Sequence, residues 1–334
     1  MTITDVARAA GVSVATVSRV LNNQYGVAPG TIDKVQAVID DLGYESSIVA
    51  RSMRSQRTNV LGIVVMDLEP WSAELLRGFS RGVRDSDYDL IVYSSAGGDA
   101  AFTKPGWERR LVSRLNGSLT DGLILVTPTV MELNTDSPVV TIDPHIDAVG
   151  LPAVSSDNHG GALQATAHLT GLGHRRIGFI AGRPDLESAR GRRQGYADGL
   201  AAAGLELDPT LVRTGDYTRA VGRACADELL DLAERPTAIF AANDESAIGV
   251  LEAAKARGIA VPDELSVVGF DDLPEARYTE PPLTTVDQSV EQMGYEATLL
   301  LLEQIADPSR PPVHITLPTQ LVVRGSCRAP LAAG

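Results

Sequence analysis

Apolar residues recur three and four positions apart through the first 42 residues and gather into short unbroken runs from Asn59 onward. The first pattern reads as helix and the second as buried strand. At the start, Thr2 and Asp5 stand three apart, a capping-box variant. The helix it opens runs to about Ala10, with Val6, Ala9 and Ala10 on one side. Gly11-Val12-Ser13 reads as a tight turn, and Ser13 is placed to cap a second helix over about 14–22. That helix turns Val17, Val20 and Leu21 inward. Pro29 suits a first helical turn, and Ile32, Val35, Val38, Ile39 and Leu42 continue at helical spacing until Gly43. Ala28 precedes Pro29 and is a poor cap. Three short helices with a glycine turn between the first two form a helix-turn-helix layout. From the pattern alone, a small helical subdomain without any DNA role is equally open.

Ser46 to Arg57, SSIVARSMRSQR, carries one apolar pair, Val49 and Met53, among arginines. It is too short to hold a helix by itself. It reads as a linker or as a helix that needs a partner.

Beyond it, strands are predicted at 60–66, 89–94, 121–126, 138–142, 176–181, 237–241 and 265–270, and helices at 72–84, 107–115, 158–171, 188–203 and 245–257. LTTVDQ at 283–288, a helix at 290–306 and strands near 313–323 close the chain. Alternation of this kind predicts an α/β fold of doubly wound parallel sheets with helices on both faces. The two halves read as one unit used twice. Ligands of such sheets sit at the carboxyl ends of the strands, so two halves imply a cleft between two sets of strand ends.

Composition narrows the class. The 334 residues are 44% hydrophobic and 22% charged, ordinary for a soluble globular protein of two or three domains. No run of about 18 apolar residues suggests a membrane span, and no basic-then-apolar signal opens the chain. Cys225 and Cys327 form no disulfide framework and no metal spacing, and two free thiols fit a reducing cytoplasm. The net charge of −14 is uneven. Residues 1–58 hold six basic and five acidic groups, a balance of +1; the rest holds 23 basic and 38 acidic groups, a balance of −15. An acidic body repels a polyanion, so any nucleic-acid contact must come from the head.

Signals for catalysis are absent from the sequence. There is no Gly-x-Ser-x-Gly elbow and no Walker loop. Gly171 and Gly173 in GLGHRRIGF end a helix before a strand, the reverse of a phosphate-cradling loop. The histidines His145, His159, His168, His174 and His314 show no metal spacing. No enzyme, cofactor or metal is expected. Polar groups at predicted strand ends are more informative: Asp143, Asn243 with Asp244, and Asp271 with Asp272. Arg190, Arg192 and Arg193 open a helix. Carboxylates, an amide and a guanidinium converging on one cleft would suit a polyhydroxylated ligand, each able to bond adjacent hydroxyls. Trp71 and Trp107 could stack on a sugar face. Helix capping and turn formation are the competing roles for Asn243, Asp244 and Asp271.

The segments TITDVARAAGVSVATVSRVLN, SIVARSMRSQRT, GHRRIGFIAG, GYADGL, VVGFDDLPEARYTEPPLTTV and LVVRGS resemble the lactose-repressor (LacI/GalR) family of bacterial transcription factors over residues 2 to about 328. The resemblance implies a DNA-binding head at 1–45, a hinge helix and linker at 46–58, and a periplasmic-binding-protein-like effector core at 59–328. Within the core it implies an N-subdomain of about 59–155 and 286–314 and a C-subdomain of about 156–285 and 315–328. It places Val14, Ala15 and Arg19 at base-reading positions. Ser13, Thr16, Ser18 and Asn22 fall where phosphates are held or the helix is braced. Met53 stands where the family has a minor-groove leucine, a departure that keeps an apolar wedge. Asp143, Arg192, Asn243 and Asp271 match effector-contacting positions. Trp71 alone remains of two aromatics in a shortened loop. The family implies a cytoplasmic homodimer on palindromic double-stranded operator DNA, with a guanine in each half-site read by Arg19. No leucine-heptad tail follows the last strand, which favours a dimer over a tetramer. The implied function is a repressor of carbohydrate-utilisation genes released by a mono- or oligosaccharide of xylose or cellobiose type. A purine corepressor would invert the sign of regulation, and a free-standing sugar-binding protein is the remaining alternative.

Overall fold

A computed structural model of the chain describes residues 1–21, 24–44, 57–66, 68–94, 107–115, 119–128, 133, 135, 137–145 and 150–330. It divides into two compact units, one of residues 1–58 with 117–120 and one of the remainder.

In the head, α1 (Ile3–Ala10) begins as its first residues dictate: the Thr2 N–H and hydroxyl both donate to the Asp5 carboxylate, at 2.9 and 2.8 Å. Gly11, at φ 66, turns the chain, and the Ser13 hydroxyl accepts the Thr16 N–H at 3.1 Å to open α2 (Val14–Leu21). α3 (Pro29–Leu42) starts on proline without a side-chain cap at Ala28 and stops at Gly43, φ 56. Val6, Ala10, Val17, Val20, Val35 and Ile39 form the core of this three-helix unit. The span 45–56, with the hinge helix expected there, lies outside the described residues.

The larger unit has two lobes. In the N-lobe, β1 (Val60–Val65), β2 (Asp89–Ser94), β3 (Gly122–Val126), β4 (Val139–Ile142), β5 (Ala153–Ser156) and β11 (His314–Leu317) make one parallel sheet, order β11-β5-β4-β3-β1-β2. Its helices are α4 (Pro70–Val83), α5 (Trp107–Leu115) and α10 (Val290–Ala306). In the C-lobe, β6 (Ile177–Ala181), β7 (Val212–Thr214), β8 (Ala238–Ala241) and β9 (Ser266–Val268) form a parallel sheet, order β7-β6-β8-β9. Helices α6 (Asn158–Gly171), α7 (Glu187–Ala202), α8 (Arg219–Leu230) and α9 (Asp244–Ala256) cover it, and its two faces bury separate apolar clusters. β10 (Thr285–Asp287) pairs antiparallel with β12 (Gln320–Val322). The chain crosses between lobes three times, near Asp157, Gln288 and Thr319.

β5, β7 and α8 were not expected from the pattern. β5 is only Ala-Val-Ser-Ser and is a strand because β4 and β11 flank it. In α8, Val221, Cys225 and Leu229 keep helical spacing, but Gly222 and the alanines dilute the contrast with its polar face. Among the described residues no helix is long and apolar enough to cross a membrane. Both cysteines are free thiols, and burial pushes each above the ordinary thiol range.

Candidate functional site

Two surfaces concentrate the expected residues. On the head, Val17 and Val20 are sealed into the core, which turns Val14, Ala15 and Arg19 outward on one face of α2, with Ser18 half-buried between them. Arg19 is the one charged side chain of this helix. Ser13 and Thr16 sit at its N-terminus with their hydroxyls 2.9 Å apart. Asn22 and Met53 lie outside the described residues.

In the larger unit, one cleft of about 820 Å³, counted to its open mouth, lies between the lobes. Trp71, Asp143, Arg192, Asn243 and Asp271 all line it, brought there by five different elements. Trp71 comes from the first turn of α4 and packs on the N-lobe core. The side chain of Trp107 lies outside the description. Asp143 follows β4 in a left-handed conformation, φ 43, with its N–H bonded to the Val154 carbonyl. Burial pushes its carboxyl up to about 6, against the pull of Arg192. Asp271 follows β9 at φ 122 and is likewise raised by burial, with Arg192 and Gln288 acting the other way.

Arg192 organises the floor. It is 4% exposed, and its guanidinium lies 3.9 Å over the Phe270 ring. Nε donates to Asn158 Oδ1 (2.8 Å), Nη1 to the Ala242 carbonyl (2.5 Å) and Asp271 (3.3 Å), and Nη2 to Gln288 Oε1 (3.2 Å). Four of its five N–H groups therefore have protein acceptors. The arginine can offer a ligand one donor, not the fork expected from sequence. Asn243 does two jobs: Oδ1 caps α9 through the Ser246 N–H at 3.0 Å, and Nδ2 donates to the Tyr217 carbonyl at 2.9 Å, while the residue still lines the cleft.

Neighbouring candidates do not line the cleft. Asp244 is fully buried in the C-lobe, where it accepts from the Thr285 hydroxyl and the Leu273 N–H. Asp272 pairs with Arg324 and Arg277. Arg190 is held by Glu187 and by the His145 carbonyl, and Arg193 is exposed. The sequence reading missed Gln288 and Tyr217. Gln288 accepts from Ser156 and Arg192 and donates to Asp271 at 2.5 Å, directly on a lobe crossing. Its position just after LTTVD was the available signal. Tyr217 lines the cleft at φ 74, its ring seated on Gly182, where a Cβ would stand 2.1 Å from the ring. A tyrosine in a Gly-Asp-Tyr-Thr turn gives no hydrophobic period to reveal that role.

Residues 2–47 match the bacterial regulatory proteins of the lacI family, and residues 166–327 match the periplasmic binding protein-like domain. The chain is 35% identical to the HTH-type transcriptional regulator CelR of Thermobifida fusca, over 97% of this chain and 98% of that one. Among solved structures it is similar to a CelR–cellobiose complex, with TM-score 0.71 and 34% identity over 98% and 99% of the two chains. It is also similar to a lac repressor dimer bound to operator and the anti-inducer ONPF, with TM-score 0.84 and 26% identity over 98% and 99%.

Proposed function

Because the chain belongs to the lacI family of bacterial regulatory proteins, DNA-binding transcription regulators and not enzymes, we propose that it is a cytoplasmic repressor of carbohydrate-utilisation genes, released from its operator by a saccharide of cellobiose type. The observation that carries the effector half is the convergence of Trp71, Asp143, Arg192, Asn243 and Asp271 on one cleft. Carboxylates that accept from hydroxyls, beside an indole and the Tyr217 phenol, are the chemistry of a sugar site. The resemblance to the CelR–cellobiose complex supports the same class.

On the DNA side, Val14, Ala15 and Arg19 read base edges in the major groove, Arg19 pairing with a guanine. Ser13, Thr16, Ser18 and Asn22 position α2 on phosphates. One arginine per head is too little for a unique site, so the protein acts as a two-fold homodimer on a palindrome. A hinge at 46–58, wedged by Met53, adds shape readout at the centre. The residues divide into head 1–45, hinge 46–58 and effector core 59–328. Saccharide closes the cleft, and the closed form holds the paired heads poorly on DNA.

The test is a thermal-shift screen followed by operator release. At about 100 times its dissociation constant a ligand stabilises by about 2.7 kcal/mol, a visible shift. Cellobiose is expected to shift the protein and to release a fluorescent operator fragment. Stabilisation by purines alone, with tighter operator binding, would replace the inducer by a corepressor.

A further inference from the structure

We infer that the cleft selects uncharged saccharides and rejects their phosphorylated or carboxylated forms. The inference rests on the effector reading above and adds the charge state of the ligand. Two guanidiniums line the cleft among its described residues, and each is already in contact with a carboxylate. Arg192 is paired with Asp271 and donates also to Asn158, Ala242 and Gln288, which leaves one N–H of the five. Arg183 sets its fork on Asp185, Nε to Oδ1 at 3.2 Å and Nη2 to Oδ2 at 2.6 Å.

Carboxylates also line the cleft: Asp143 from the N-lobe, Asp216 from the C-lobe and Glu69 at the start of α4. Asp216 holds its place by accepting the Thr218 N–H and hydroxyl, at 2.9 and 2.7 Å. Helix N-termini are the other usual source of anion binding. Residues at or beside the starts of α4, α7 and α9 line the cleft, and each start carries acid in sequence: Glu69 precedes α4 without a side-chain cap bond to it, Glu187 is in the first turn of α7, and Asp244 and Glu245 open α9. A phosphate entering this cleft meets like charge from both lobes, with screening reduced by burial. A neutral sugar meets acceptors for its hydroxyls.

The test is calorimetric titration of the full chain with cellobiose, cellobiose 6′-phosphate and cellobionate, alongside adenosine and AMP. The neutral member of a binding pair is expected to bind at least about tenfold more tightly than the anionic one. Asp216→Asn keeps the turn to Thr218 and removes one charge, so it is expected to narrow that ratio several-fold. An anion that binds as tightly as its neutral partner overturns this inference and leaves the effector reading standing. Failure of cellobiose and adenosine alike to bind overturns the effector reading and this inference with it.

Discussion

Arg19 and Asp143 show opposite uses of one charge. Arg19 is exposed on a helix whose other outward residues are small or apolar, so removing it spares the fold and, under the proposed function, takes away the one charged base contact. Arg19→Ala is expected to weaken operator binding by roughly 1–3 kcal/mol per half-site and to flatten the preference for guanine. Fluorescence anisotropy with guanine-substituted operators measures both, and an unchanged affinity would move the reading face off α2. Asp143 is nearly buried, and folding raises its carboxyl from 3.8 to about 6. Below 3.8 the group is protonated in both states and costs nothing. As pH rises through 6 the folded protein must carry a buried charge, and stability is lost. A gap of about two pH units corresponds to on the order of 3 kcal/mol. Asp143→Asn is therefore expected to raise the unfolding midpoint at pH 7.5, with the gain fading toward pH 4, while weakening saccharide binding. A gain of equal size at both pH values would mean that charge is not its cause.

Helix pairs in the larger unit meet through glycine. A Cβ at Gly78 would stand 1.9 Å from the Glu291 carbonyl oxygen, and one at Gly294 would stand 2.3 Å from that of Leu75, so α4 and α10 touch backbone to backbone. Gly195 does the same for α7 against α6, where Gly199 meets the Thr166 side chain instead, and Gly222 and Gly249 do so for α8 against α9. In an open helix, glycine to alanine gains up to about 1 kcal/mol. At a contact it forces the pair apart and costs about 1–3 kcal/mol. The two signs separate two positions: Gly78→Ala is expected to lower the melting temperature, whereas Gly171→Ala, with open space around it, is expected to leave it level or raise it. Circular dichroism melts decide. Equal shifts would mean that the α4–α10 contact is not limiting.

At the scale of the whole molecule, Asp271, Arg192 and Gln288 join the cleft to a lobe crossing. Gln288 stands on that crossing and accepts from Ser156, which stands on another. One buried network therefore joins cleft-lining residues to two lobe crossings. Under the proposed function, linkage requires that saccharide and operator weaken each other by the same factor. Asp271→Ala is expected to abolish release by saccharide while sparing operator affinity. Asp271→Asn removes the same counter-charge but keeps an oxygen acceptor for Arg192, and so controls for the lost contact. Release that survives in both variants would take Asp271 out of the effector site.

The sequence by itself determined the parts that depend on local spacing. Thr2-Asp5, Ser13, Pro29 and Gly43 set the bounds of the head helices, because capping and left-handed turns are decided within a few residues. The apolar runs set most strands, and the polar residues at their ends already marked Asp143, Asn243 and Asp271. Tertiary structure decided what each strand-end group does. Asp244 and Asp271 look alike in sequence, yet one serves the C-lobe core and the other the cleft. Arg192 reads as a free guanidinium until Asn158, Ala242, Asp271 and Gln288 arrive from elements 34 to 96 residues away. β5 exists only because its neighbours pair with it. Spacing along the chain fixes a residue's local conformation, but burial and hydrogen-bond partners are set by segments distant in sequence. Only folding brings those together.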